Sequence, residues 1–270
     1  MKVHHLNCGS VRMIEPTYEG PAPAHTVNHC LLLETDSDGL VLVETGIGLL
    51  DIRDPDEVLG AAWVETSQPV LAAEETAIRQ VEGLGFSAAD VRHIFLTHLD
   101  GDHCGGLPDF PDAQVHLLGT EIETALTQAP SARYRPAHWA HRPNWVPYTP
   151  ETNDRWFGFT AQQARGLSAE ILLVPLGGHT EGHTGIAVRT GEKWILHCGD
   201  AYYYHRELQP DPETHPLLNW VQTTYEINHD LRLGTQARLR ELVRDHGDEV
   251  TLIAAHDPWD LQRLQAASNT

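Results

Sequence analysis

Four apolar, strand-like stretches of this chain end in His or Asp close to Gly, and that recurrence constrains the fold more than any other feature. The stretch 91–97 runs into His98-Leu99-Asp100-Gly101-Asp102-His103, two His and two Asp within six positions, directly before Cys104 and a Gly pair. The stretch 169–176 is followed by Gly-Gly-His-Thr-Glu-Gly-His-Thr, which holds His179 and His183. Residues 193–198 run into Gly199-Asp200, and 249–255 into His256-Asp257. One polar residue at a strand end is commonplace. Four such ends call for strands whose termini gather on one side of a sheet, where α/β proteins build their sites. Helical patterns at 73–85 and 231–247 lie between further strand patterns at 29–35, 39–46, 113–119 and 184–190. Strands paired first as a hairpin and then alternating with helices predict α/β layers with mixed sheets.

No internal repeat or low-complexity tract divides the chain, so residues 1–270 read as a single domain. Two segments, 50–72 and 130–166, break the alternation and are rich in Pro, Trp and Tyr. Loops of that length are expected to act as lids or substrate loops, and an aromatic-rich one can line an apolar pocket or simply pack onto the body. The formal charge of −20, from 38 acidic against 18 basic residues, makes nucleic acid and anionic membranes poor partners. Eighteen His among so many carboxylates point instead to divalent metal. Cys8, Cys30, Cys104 and Cys198 are far apart, with no C-x-x-C, so neither a zinc ribbon nor a disulfide framework is expected. No apolar leader and no apolar run near membrane-spanning length is present, and a cytoplasmic setting is the expectation. A serine hydrolase has no support, since G-x-S-x-G is absent.

With these stations in view, the chain resembles the metallo-β-lactamase fold superfamily. That family's signature is H-x-H-x-D-H, a His in G-H-T-x-G-H, an Asp in G-D after a strand, and a late His. Here the same stations read HLDGDH, GHTEGH, CGD and AAHD, and an early VLVETG is similar to the family's V-D-T-G strand, with Glu44 where Asp is usual. The resemblance spans nearly the whole chain and implies a four-layer αββα sandwich of two mixed β-sheets flanked by helices. It also implies two divalent metal ions. His98 and His179 would hold the first, with Asp100; Asp102, His103 and His256 would hold the second; Asp200 would bridge. His183 falls to a supporting role, and His197 and Cys198 to packing.

Asp100 stands where the family has its second His. Imidazole suits zinc, whereas a carboxylate shifts preference toward manganese or iron. The alternative is that Asp100 hydrogen-bonds a ligand His without touching metal. The implied chemistry is hydrolysis of a small-molecule lactone, ester or related bond by a metal-bridging hydroxide, with zinc as the default pair. Asp102 could supply the proton for the leaving group. Tyr203 matches the offset of a Tyr that the family's quorum-quenching lactonases carry three residues after the equivalent Asp, and could donate to the developing oxyanion. The layout resembles the lactonase branch most. A mononuclear iron oxidoreductase of the persulfide dioxygenase type, a phosphodiesterase or β-lactam hydrolase on the same fold, and a non-catalytic metal-binding protein remain open, as does the oligomeric state.

Overall fold

Cys30, Leu31, Leu32 and Leu33 are all fully buried, and successive side chains of a strand face opposite ways. The sheet that holds them must therefore be covered on both faces. The computed structural model, which describes residues 1–14, 25–149 and 154–268, shows how. The first sheet runs in chain order: β1 (Lys2–Met13), β2 (His25–Glu34), β3 (Leu40–Val43), β4 (Val91–Phe95), β5 (Gln114–Leu118) and β6 (Asn144–Tyr148). Its first three strands are antiparallel, and β3 through β6 are parallel. A short ribbon follows, β7 (Arg155–Trp156) with β8 (Phe159–Thr160). The second sheet collects β9 (Gln162–Gln163), β10 (Ile171–Pro175), β11 (Thr184–Thr190), β12 (Lys193–His197) and β13 (Val250–Ile253), with only the β12–β13 pair parallel.

Three separate apolar clusters correspond to the three interfaces of a four-layer sandwich. Between the sheets, Leu31, Leu33, Val41, Val43 and Phe95 pack against Leu173, Ile186, Val188 and Ile253. On the outer face of the first sheet, the alternate residues Leu32, Leu42 and Ile94 meet Val81 of α3 (Ala77–Gly83) and Ile122 of α5 (Gly119–Gln128). On the outer face of the second, Val174, Leu196 and Leu252 meet Leu239 and Leu242 of α7 (His229–His246). The remaining helices are α1 (Leu49–Arg53), α2 (Ala61–Ser67), α4 (Gly101–Cys104), α6 (Pro216–Tyr225) and α8 (Pro258–Ser268). No helix among the described residues is long and apolar enough to cross a membrane.

Residues 50–72, expected as a loop, are instead mostly helical: α1, a π-type turn over Asp56–Gly60, and α2. Pro55 and Gly60 disguise the pattern, and burial of Val58 and Leu59 supplies what local propensity does not. Within 130–166 lie β6, β7, β8, β9 and a 3₁₀ turn at Pro136–Trp139, while residues 150–153 fall outside the described set. Pro147 disguises β6, and the sheet tolerates it because β6 is an edge strand. β1 was hidden by its polar content.

A buried carboxylate fastens α6 and α7 to the second sheet. Glu207 Oε2 accepts from Gln222 Nε2 at 3.1 Å and from Gln236 Nε2 at 2.9 Å, and Gln236 also donates to the Ala201 carbonyl. Burial pushes the Glu207 carboxyl up to about 7 from an ordinary value of 4.5. Its folded pKa lies above its unfolded one, so the native state binds more protons and loses stability as pH rises through that window. Urea unfolding of Glu207→Gln and wild type at pH 5 and pH 8 is expected to show the variant gaining about 2 kcal/mol relative to wild type at the higher pH. Parallel pH profiles for the two proteins would show that Glu207 ionises normally.

Candidate metal centre

All the stations arrive at one edge of the sandwich. The segment after β4 carries His98, Asp100 and, on α4, Asp102 and His103; the turn between β10 and β11 carries His179; β12 leads to Asp200 and β13 to His256. Asp200 comes this close because Gly199 precedes it. With φ of +51°, a Cβ at Gly199 would stand 2.6 Å from Thr97 Oγ1 and 2.7 Å from His183 Nε2. Only glycine fits.

Two groups of donor atoms result, each within 4.8 Å of one another: His98, His179 and Asp200, and then Asp102, His103 and His256. Asp200 faces both. Its Oδ2 is 3.3 Å from His179 Nε2 and 3.9 Å from His98 Nε2. Its Oδ1 is 3.3 Å from both His103 Nε2 and His256 Nε2, and His256 Nε2 is 3.8 Å from Asp102 Oδ2. Donors about 2.0–2.2 Å from a tetrahedral ion sit about 3.4 Å apart, so these separations suit ligands around a cation. His98 Nε2, His103 Nε2 and Asp200 Oδ1 are buried yet make no hydrogen bond among the described residues. Buried polar atoms are nearly always satisfied, and a pair of divalent cations would satisfy these. The residues fit the metals.

The rings are aimed from behind. His103 Nδ1 donates to Glu44 Oε2 at 2.5 Å, and His256 Nδ1 donates to the Val27 carbonyl at 2.9 Å. His98 Nδ1 pairs with Thr97 Oγ1 at 2.8 Å. Each leaves Nε2 toward the centre, the arrangement that metal-ligating His favours. Glu44, at φ +65°, also accepts from the Thr97 amide, so one carboxylate holds the segment after β4 at both ends. His183 spans from the Leu176 carbonyl, to which Nδ1 donates, to the Asp200 amide, which donates to Nε2.

Glu121 of α5 joins the two His-bearing turns. Its Oε1 accepts from the Leu99 amide at 3.0 Å and the Tyr134 hydroxyl at 3.2 Å; its Oε2 accepts from Thr180 Oγ1 at 2.8 Å and the Gly182 amide at 3.1 Å. Charge is arranged to match. Burial works against ionising Asp200, but His256, His103 and His179 outweigh it and hold the carboxyl well below its usual range. Burial, reinforced by His103, keeps His98 neutral and ready to donate a lone pair. Burial raises Asp102, with Asp200 and Asp100 adding to the push.

Thus His98, Asp100, Asp102, His103, His179, Asp200 and His256 converge, and Tyr203 joins them by donating its hydroxyl to Asp200 Oδ2. Asp100 Oδ2 lies 3.2 Å from His179 Nε2 and 3.5 Å from His98 Nε2, within reach of the first group, and is ion-paired with Arg133. His197 turns away to donate to the His29 carbonyl, and Cys198 is buried with its thiol against the Leu196 carbonyl. Tyr202 packs beneath α7 and Tyr204 against Leu218, leaving Tyr203 to face the cavity. That cavity, about 370 Å³, has the donor cluster as its floor and Leu59, Trp63, Trp220, Val221 and Ile227 among its walls. Sequence reasoning missed Glu121 and Arg133 entirely and gave Glu44 no role. Glu44 carried a signal in its place in VLVETG, and Arg133 in its place in the aromatic segment 130–166; Glu121 carried none.

Residues 25–256 match the family model described as the metallo-beta-lactamase superfamily. The "Probable metallo-hydrolase Rv2300c" of Mycobacterium tuberculosis is 40% identical, covering 98% of this chain and 82% of that protein. The N-acyl homoserine lactonase AttM of Agrobacterium fabrum is 28% identical over 95% of this chain and 89% of its own. Among solved structures, an N-acyl homoserine lactone hydrolase with N-hexanoyl-L-homoserine at its catalytic metal centre superposes with a TM-score of 0.71 at 20% identity, covering 97% and 95% of the two chains. AidC, a dizinc quorum-quenching lactonase, does so with 0.53 at 21% identity, covering 87% and 74%. A four-layer sandwich with this cluster at its edge defines a metal-dependent hydrolase. The chain belongs to the metallo-beta-lactamase superfamily.

Proposed function

We propose that this protein hydrolyses a small lactone or ester bearing an apolar group, using two divalent ions, zinc by default. The observation that carries the reading is a pair of donor groups sharing Asp200 at the floor of a 370 Å³ cavity with largely apolar walls. His98, His179 and Asp100 would hold the first ion, Asp102, His103 and His256 the second, and Asp200 would serve both. Bound there, the ions supply Lewis acidity for the scissile carbonyl and a water acidified toward neutral pH. The chain's own residues do the rest. The apolar walls take the non-reacting part of the substrate and exclude water around the bond to be broken. Asp102, which lines the cavity beside the cluster, is the proposed carrier of a proton toward the leaving oxygen. The chain is read as one domain, in which described residues of 50–72 and 130–166, Leu59, Trp63 and Arg133 among them, supply the lid and substrate walls. The names of the relatives favour a lactone.

Metal analysis combined with a panel of lactone, aryl ester, phosphodiester and β-lactam substrates tests this. Two ions per chain and the highest kcat/KM on a lactone are expected; one iron with oxygen consumption would assign the dioxygenase chemistry instead. Tyr203 is the proposed donor to the oxyanion, since its buried hydroxyl reaches the bridging carboxylate from the cavity side. Tyr203→Phe is expected to lower kcat by about a hundredfold with metal content unchanged, the usual effect of losing one oxyanion donor. An unaltered kcat would remove Tyr203 from the chemistry.

A further inference from the structure

Three carboxylates, Asp100, Asp102 and Asp200, converge at the cavity floor, and a guanidinium comes from the segment before the 3₁₀ turn to meet one of them. Arg133 Nη1 donates to Asp100 Oδ1 at 2.9 Å and to Oδ2 at 2.7 Å. The same nitrogen is 3.2 Å from His179 Nε2. Nη2 donates to the carbonyl of Tyr225, the last residue of α6, where the helix leaves its carbonyls unpaired and its dipole is negative. Arg133 is thus stretched between a carboxylate at the first donor group and the helix that carries Trp220 and Val221 of the cavity wall.

We propose that Arg133 is the positioning residue for Asp100: it offsets the carboxylate's charge and fixes Oδ2 toward His98 and His179, so that Asp100 serves as the fourth donor of the first site. Three observations support this. Oδ2 is the atom that lies 3.2 and 3.5 Å from the two ring nitrogens, separations suited to co-ligands. Without a cation beside it, a third carboxylate this close to Asp200 and Asp102 would be costly to keep ionised away from bulk water. The second arm to Tyr225 anchors the guanidinium, so Asp100 is held by a group that cannot swing out with it.

The inference rests on the metal centre proposed above, and chelator competition with zinc and with manganese on the full chain separates the two. In Arg133→Gln, the affinity of one of two sites is expected to fall by about ten- to a hundredfold, while the other keeps its wild-type value. Asp100→Asn should lose a similar factor, and the double variant should be no worse than Asp100→Asn alone, because Arg133 acts through Asp100. Arg133→Lys, which keeps the charge but not the arm to Tyr225, should recover only part of the lost affinity and guards against a variant that misfolds. In cobalt-loaded protein, Arg133→Gln and Asp100→Asn should change the visible spectrum alike. Unchanged or tighter binding in Arg133→Gln, or additive losses in the double variant, would overturn the assignment. Wild-type protein that takes up no metal would overturn the metal centre itself, and this inference with it.

Discussion

Asp200→Ala is expected to lower kcat/KM by about a thousandfold or more, about 4 kcal/mol of transition-state stabilisation, and to strip metal from both sites. The other proposed ligands each serve one donor group; Asp200 alone presents an oxygen to each, Oδ2 to His179 and Oδ1 to His103 and His256. Its removal leaves His103 and His256 facing each other without the carboxylate that pushes both of their pKa values up. Metal content by elemental analysis, alongside turnover, is the check. A variant with both ions retained and activity within tenfold of wild type would mean that Asp200 does not bridge.

The second large effect is expected at Glu121, far less conspicuous in the chain. Glu121→Ala removes the acceptor of four hydrogen bonds, from the Leu99 and Gly182 amides and the Tyr134 and Thr180 hydroxyls, at a site sealed from solvent. Each orphaned buried donor costs about 1–3 kcal/mol, and the costs overlap, so a loss of about 3–5 kcal/mol is expected. For a chain of this size that amounts to a drop of about 10 °C in Tm. Because Leu99 follows His98 and Thr180 follows His179, first-site metal affinity should fall as well. Thermal unfolding of the metal-stripped protein separates the two consequences. A Tm unchanged in the stripped state would show that Glu121 supports the ligands without supporting the fold.

Why the proposed ligands were legible and their supports were not follows from distance along the chain. His98, Asp100, Asp102 and His103 fall in one short run because a strand end and the first turn of α4 deliver them together, and that spacing survives in the sequence. Their supports come from elsewhere. Glu44 reaches His103, Arg133 reaches Asp100 and Glu121 reaches Thr180 only once the sheets have brought distant segments together. The strands were read from their apolar runs, and the structure places them close to where the runs lie. β6 escaped because Pro147 argues against a strand, and α1 and α2 because Pro55 and Gly60 argue against a helix. In each case tertiary packing overruled the local signal.

The origin of the proposed ligands in both sheets has a consequence for how the molecule is held shut. The first sheet contributes His98 and His103, the second His179, Asp200 and His256, and the two sheets otherwise meet through an apolar interface crossed by a few hydrogen bonds, such as that from His197 to the His29 carbonyl. The four cysteines are buried and unpaired, so sulfur ties no part of the chain to another. An ion gripped by residues as distant as 102 and 256 would add a much stronger crosslink. It would close a very long loop, a constraint worth on the order of 4–5 kcal/mol in the chain-entropy picture. Chelation would then cost this protein its rivet as well as its reagent.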